Sequence, residues 1–424
     1  MRKWLIGAAL LAFTTPTVAA ETLTVWTRIT QEGVKPFFEE FQKQNPDIQL
    51  QVEYIPGGKN HINKLVAAVA AGTPPDVVTL DVIATEGMCR LNALMPLTDL
   101  VNSNSKLAEQ NFPSGPLGTG RCNGTLYALP FGGDGSFIAY NKGYFKERGL
   151  DPEQPPKTWD EFTAIAKKLT FDRNGDGRPD VYGFHFIPSQ PSLTTFYWLP
   201  YFWMSGGAFN DRDKKAFTFD SEAGERALSF LMNLHLEHKA IPPSDVGAAG
   251  TTDPLIEFLQ GRAAMSFASN NIIGRVARDA PTLEIGIMPH PTPSASTPTT
   301  TFSGGDNVAI MRAIPKEKLP AAVKLMEYLV SVEGQRAWQT TKYFLPVRRE
   351  LLNDEYYSER PLDRKAFEIY LTAHEPPVTA HYVEVQQYLR DAFEEVAFGV
   401  SKPKEALEKA AQRGDALIKR TGLP

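Results

Sequence analysis

Three stretches of this sequence hold residue types that could do chemistry. Residues 129–145, LPFGGDGSFIAYNKGYF, set one carboxylate, Asp134, among three glycines just before an alternating apolar strand. Glycine lets the backbone turn sharply or pass close to another group, so a plain turn and a ligand contact are both open here. Residues 172–180, DRNGDGRPD, place Asp172, Asn174 and Asp176 at alternate positions with Gly177 behind them. That is the first half of a calcium loop, but Gly183 stands where its bidentate glutamate belongs. With Asp180, the same side chains equally make a hydrogen-bonded surface loop, and no metal site is assigned. The third stretch, residues 196–209, carries Tyr197, Trp198, Tyr201 and Trp203, with six aromatics in eight residues at its start. Such rings either pack a buried helix or stack on the apolar face of a sugar.

Common catalytic signatures are absent from the chain. It has no nucleophile elbow, no phosphate-binding P-loop, no H-E-x-x-H and no dinucleotide fingerprint. His235 and His238 lie three apart on a helix without a third ligand near them in sequence, which suits a solvated face. Carboxylate-pair glycosidases carry no short motif, so a secreted carbohydrate hydrolase using Asp81 and Asp134 stays as an alternative. Net charge is −5 with acids and bases interspersed, unlike the basic footprint of a nucleic-acid binder.

The elements that must position these residues follow from periodicity. Residues 1–20 read as a cleavable leader: a basic start, a short apolar run and small residues before Glu21. Export favours a disulfide between the two cysteines, Cys89 and Cys122, over two buried thiols. Strand, helix, strand, helix, strand then follow, through TLTVWT, a helix carrying Phe37, Phe38 and Phe41, IQLQVEY, INKLVAAVAAG closed by Gly72, and VVTLD. After residue 130 the pattern restarts with SFIAYN, a helix opened by Thr158 and Glu161 in capping-box spacing, and a longer helix from residue 221. Strands GRAAMSFA and LEIGIM follow, then a Pro/Ser/Thr-rich loop at residues 289–300 suited to a crossing between lobes. NVAIM returns as a strand, residues 319–339 read as one amphipathic helix, and the last sixty residues are mainly helical. This is α/β chemistry in two lobes. Ligands of open α/β sheets sit beyond the carboxyl ends of the strands.

Six ordered segments carry a family resemblance: AAGTPPDVVTLD, the run from GTLYALPFGGDGSF to PPKTWDEF, FLQGRAAMSFAS, IGIMPHP, FSGGDNVAI, and AAVKLMEYLVSVEGQRAWQTTKYFLPVRREL. Together they resemble the bacterial extracellular solute-binding proteins that serve ABC sugar importers, nearest to the glycerol-phosphate-binding branch. The resemblance implies a two-lobed periplasmic binding protein fold, each lobe a sheet flanked by helices, with a multi-segment hinge. It implies lobes at residues 21–132 plus 306–342 and 133–305 plus 343–424. It further implies capture rather than catalysis, no cofactor, a sugar ligand, a membrane permease as partner, no nucleic acid, and a monomer in the periplasm.

Carried over position by position, the family's cleft would be lined by Trp26, Asp81, Asp134, Trp203, Ser269, Asn270, Gly304, Gly305, Phe344 and Arg348. Arg348 could instead pin the hinge. The sequence also departs from the glycerol-phosphate branch. Glycine replaces the tyrosine expected before the second helix, Phe344 stands for another tyrosine, and residues 376–385 lack the phosphate-contacting arginine. An unpaired phosphate is costly to desolvate, which argues for a neutral mono- or oligosaccharide and leaves glycerol phosphate or a glycerophosphodiester as the alternative. Arg28, beside Trp26, could supply a replacement charge, although a strand-end arginine is commonly just solvated.

Overall fold

Residues 20–188, 194–211, 215–243, 255–341, 344–377, 379 and 381–422 are described in the computed structural model. The leader apart from Ala20 lies outside them. Alternation buries Leu23, Val25 and Thr27 on one face of β1 (Glu21–Thr27). Helix α1 (Gln31–Gln44) starts where the Thr30 side chain accepts from the Gly33 N–H, and it turns Val34, Phe37, Phe38 and Phe41 into the core. Strand β2 (Ile48–Tyr54), helix α2 (Gly58–Ala70) and strand β3 (Val77–Asp81) complete the opening alternation. β1 pairs parallel with both β2 and β3. β3 is buried along four of its five residues, as a central strand covered on both faces must be.

The chain leaves this sheet along β4 (Leu129–Asp134) and enters a second one as β5 (Ser136–Asn141). There β5 is flanked antiparallel by β6 (Met265–Ser269) and β7 (Ile285–Met288). Between them, α3 (Trp159–Lys168) begins with the full capping box of Thr158 and Glu161, and α4 (Glu222–Leu236) buries Leu228, Leu231 and Met232. Residues 289–300, expected to cross between lobes, stay with the second sheet instead. Thr292 exchanges backbone hydrogen bonds with Lys157 and Trp159 at the start of α3. The return comes just afterwards, through β8 (Thr301–Phe302) into β9 (Gly304–Ile310). β9 inserts antiparallel between β3 and β4, giving the order β2-β1-β3-β9-β4.

The expected single helix over residues 319–339 is three. α5 (Leu319–Leu329) ends, Ser331 caps a new turn by accepting from the Gly334 N–H, and further short turns follow. The segment after Phe344, expected in the second lobe, hangs on the first. The Val347 N–H reaches Gln335, and Arg348 donates to the Val330 carbonyl at 3.2 Å. α6 (Pro361–Tyr370) packs on β7 and β5, and β10 (Ala373–His374) pairs parallel with β8. α7 (Tyr382–Ala397) and α8 (Pro403–Thr421) close the second lobe.

An aromatic knot fixes the exit strand. Phe37, Phe131 and Trp338 meet with ring centroids 4.5–5.1 Å apart, and burying each ring contributes about 2–3 kcal/mol. The Trp338 indole N–H and the Gln335 amide both donate to the Phe131 carbonyl, so the backbone entering residues 132–134 is held from below. Cys89 and Cys122 form a disulfide, which ties the short helix Thr85–Arg90 after β3 to the hairpin that precedes β4. Among the described residues, no helix is long and apolar enough to cross a membrane.

Candidate functional site

Two Gly-Gly-Asp triplets meet where the chain passes between the sheets. Gly132-Gly133-Asp134 ends β4 and Gly304-Gly305-Asp306 opens β9, in antiparallel register with Gly304 opposite Asp134 and Gly305 opposite Gly133. Glycine is required at two of these positions. A Cβ on Gly133 would lie 2.3 Å from the Tyr370 ring, and Gly305 holds a φ of +112° with the Gly132 carbonyl 2.0 Å from where its Cβ would be. The absent side chains let Tyr370 of α6 press against the crossing.

The charged groups come from strand ends. Arg28 follows β1, Asp81 ends β3, and Asp306 sits on β9 directly across from Asp81. The Arg28 guanidinium fills the gap between the two acids. Its Nε donates to Asp306 at 3.0 Å, and Nη2 lies 2.9 Å from the other Asp306 oxygen and 3.2 Å from Asp81. Asp306 is fully buried, while Arg28 and Asp81 are 23% and 25% exposed, so the cluster has one closed and one open side. Asp81 also accepts from the Ile83 N–H, which fixes its rotamer at the strand end.

Asp134 approaches the same group from the first crossing, at the end of β4. Burial pushes its carboxyl up to about 7; Arg28, the Ser269 hydroxyl and the Asn270 N–H oppose the shift, and Asp81 adds to it. One of its oxygens, Oδ1, is buried without a hydrogen-bond partner. Burial likewise raises Asp306 to about 6, against the pull of Arg28. His61 of α2 is fully buried, with neither ring nitrogen hydrogen-bonded; burial first, then Arg28, push it down to about 4 and keep it neutral. Aromatics close the second-lobe side. Phe196 lies over Gly304, within 2.9 Å of where its Cβ would be, and the buried hydroxyls of Tyr197 and Tyr370 are raised by burial, with Asp134 adding to both shifts. The Ser136 hydroxyl donates to the Phe196 carbonyl and meets His290 Nε2 at 2.8 Å, which anchors this turn to the hinge.

The structure thus brings together Asp81, Asp134, Ser269, Asn270, Gly304 and Gly305. Four other sequence-derived candidates lie apart. Trp26 projects to the α2 side of the sheet, packed near Leu65 and Val78 with the Lys64 ammonium 4.6 Å over its ring. Trp203 stacks on His374 at 4.2 Å in a separate recess of about 460 Å³ shared with Arg121, Asn123 and Glu375. Phe344 lies under the crossing, buried against Trp338 and Gly132. Arg348 donates to the Val330 carbonyl and pairs with Glu350. Sequence reasoning missed Asp306, Phe196, Tyr370 and His61, and had Tyr197 only as one ring of the aromatic run. The repeated Gly-Gly-Asp was the available signal for Asp306, since it marks both crossings alike.

The 172–180 loop closes on itself. Asp172 accepts from the Gly175 and Gly177 N–H groups, and Asp180 from those of Arg173 and Asn174, so its oxygens already serve the turn. Among the described residues, no group of three or more His, Cys, Asp and Glu side chains could hold a metal ion.

What the arrangement can do chemically is hold hydroxyl groups: carboxylates to accept from them, an amide and a hydroxyl beside them, and an aromatic face above. The family described as bacterial extracellular solute-binding protein matches residues 27–336. The sn-glycerol-3-phosphate-binding periplasmic protein UgpB of Salmonella typhimurium (strain LT2) is 25% identical over 438 residues, covering 99% of this chain and 98% of the relative. Its Escherichia coli (strain K12) namesake is 23% identical over 419 residues, covering 95% and 93%. Among solved structures, the sugar-binding protein MalE from Xanthomonas citri superposes with a TM-score of 0.83 at 23% identity, covering 94% of this chain and 98% of that one. UgpB from Mycobacterium tuberculosis, in complex with glycerophosphocholine, gives a TM-score of 0.77 at 19% identity over 95% and 99%.

Proposed function

The chain belongs to the bacterial extracellular solute-binding protein family, and from that premise we propose that it captures a neutral sugar between its lobes for an ABC importer. The observation that carries this reading is the charge balance at the crossing, where Asp81, Asp134 and Asp306 face a single guanidinium. A site with more acid than base suits a polyhydroxy ligand. Its carboxylates accept hydroxyl hydrogen bonds, and Phe196 offers a flat apolar face.

Capture proceeds by closure. With the lobes apart, Asp81 and Arg28 on the first and Ser269, Asn270 and Phe196 on the second meet water. A sugar that touches both sides favours the closed form by the difference in its contacts with the two states, and by no more than that. Asp134 lies on the connection itself and contacts ligand in either state. The closed protein would then deliver its cargo to a membrane permease, as a monomer in the periplasm once its leader is removed.

Glycerol phosphate is the second reading, supported by the names of the curated relatives. Arg28 is the cation it would need, and that cation is already committed to Asp306 and Asp81. The deciding experiment is a thermal-shift series on the mature protein with monosaccharides, α- and β-linked disaccharides and glycerol phosphates, followed by product analysis of each positive. A sugar at 100 times its dissociation constant stabilises the fold by about 2.7 kcal/mol. A neutral sugar that shifts the melt and is recovered intact supports the proposal. Response to glycerol phosphates alone refutes the charge argument, and a sugar recovered cleaved replaces transport with hydrolysis.

A further inference from the structure

The pairing of Arg28 carries an inference that deepens the neutral-sugar reading and rests on it. Asp81 and Asp306 face each other across β3 and β9. Two carboxylates so placed repel unless a cation lies between them, and Arg28 is that cation. Its Nε and Nη2 reach Asp306 at 3.0 and 2.9 Å, and Nη2 also reaches Asp81 at 3.2 Å and the Gly305 carbonyl at 3.3 Å. His61, kept neutral by its burial first and by Arg28 second, adds no positive charge. The pair is also more than a core ion pair: Arg28 and Asp81 keep about a quarter of their side-chain surface exposed, at the carboxyl ends of parallel strands where α/β sheets bind ligands.

We propose that Asp306, assisted by Asp81, is a specificity determinant that acts through Arg28: by cancelling its charge, the two acids exclude phosphate-bearing ligands and reserve the site for neutral ones. Asp306 fixes the guanidinium from the buried side and Asp81 occupies it from the open side. A phosphate entering this group meets two carboxylates around a guanidinium already paired with both, so little net positive charge remains to repay its desolvation, whereas a hydroxyl can donate to the acids. The aspartates therefore set the charge of the ligand without being its main contacts.

The test is calorimetric titration of the full mature chain with glycerol 3-phosphate and with inorganic phosphate. The proteins are wild type, Asp81→Asn, Asp306→Asn, and each variant combined with Arg28→Gln, all checked for folding by circular dichroism. Removing either acid is expected to strengthen phosphate binding by roughly tenfold or more, the step given by one charge-assisted hydrogen bond. That gain should shrink as salt rises and vanish with Arg28→Gln. Asp306 is buried, so its variant can fail to fold; Asp81→Asn, at a partly exposed position, then decides alone. No gain in the folded Asp81→Asn protein, or a gain that survives Arg28→Gln, overturns the inference while leaving sugar binding by the wild type untouched. Wild type that already binds glycerol 3-phosphate through Arg28, as tightly as the variants do, overturns the neutral-sugar reading itself.

Discussion

Replacing Asp134 with asparagine keeps the shape of the side chain and removes its charge. In the folded protein burial raises this carboxyl to about 7, against about 3.9 for an exposed aspartate. An acid raised by folding binds its proton more tightly in the native state than in the unfolded chain. Native stability is therefore greatest at low pH and falls as pH rises through the window from about 4 to 7. At about 1.4 kcal/mol per pH unit, the full cost is at most about 4 kcal/mol, of which roughly a third has accrued by pH 5. The asparagine variant lacks this cost, and Asp306, also raised, is present in both proteins and cancels in the comparison. Urea unfolding of the two proteins at pH 5 and pH 8 should show the variant gaining about 2–3 kcal/mol on wild type between those values. The same substitution should weaken sugar binding by about tenfold or more at pH 8, because a bond from a ligand hydroxyl to a charged acceptor becomes a neutral one. A stability gap that is equal at both pH values would show that the carboxylate is not buried at the crossing, and the electrostatic argument for the site would fail with it. Unchanged sugar affinity would remove Asp134 from the site.

Two further outcomes follow from the hinge and its support. Cys89→Ser combined with Cys122→Ser, or reduction, opens a link spanning 33 residues, and the chain-entropy model gives a loss of about 3–4 kcal/mol, readable as a lower melting temperature in reductant. Gly305→Ala forces a side chain into a left-handed backbone whose Cβ would lie 2.0 Å from the Gly132 carbonyl. It should destabilise by about 3 kcal/mol or more, or abolish sugar-induced protection in hydrogen exchange at β4 and β9. A Gly305→Ala protein with wild-type melting would mean the crossing is not so tightly built.

Much of the fold was legible because local rules and tertiary packing agree. Alternation marked β1 and β2, the continuous apolar run marked β3 as a central strand, and the Thr158–Glu161 capping box opened α3 where its spacing said it would. Where neighbours decide, reading by periodicity fell short. The apolar stripe of residues 319–339 continues through three short helices, because a stripe does not register the Ser331 cap that restarts the chain. The Pro/Ser/Thr-rich loop has the composition of a linker, yet its backbone bonds to the start of α3 keep it on one lobe.

For the site, the residue types and the flexible backbone were fixed by sequence: glycines at each crossing, an aspartate after each pair, an arginine at a strand end, and an aromatic run between α3 and α4. Which of these meet was decided only in three dimensions. Trp203 and Phe196 belong to the same aromatic run, but the turn at residues 194–198 sends Phe196 over Gly304 and Trp203 toward His374. Arg28 and Asp306 are 278 positions apart, and only the insertion of β9 beside β3 places a buried acid against that guanidinium. Periodicity reports the face a residue turns to its own element. Charge pairing depends on which strands become neighbours, and that is set by the global packing of the sheet.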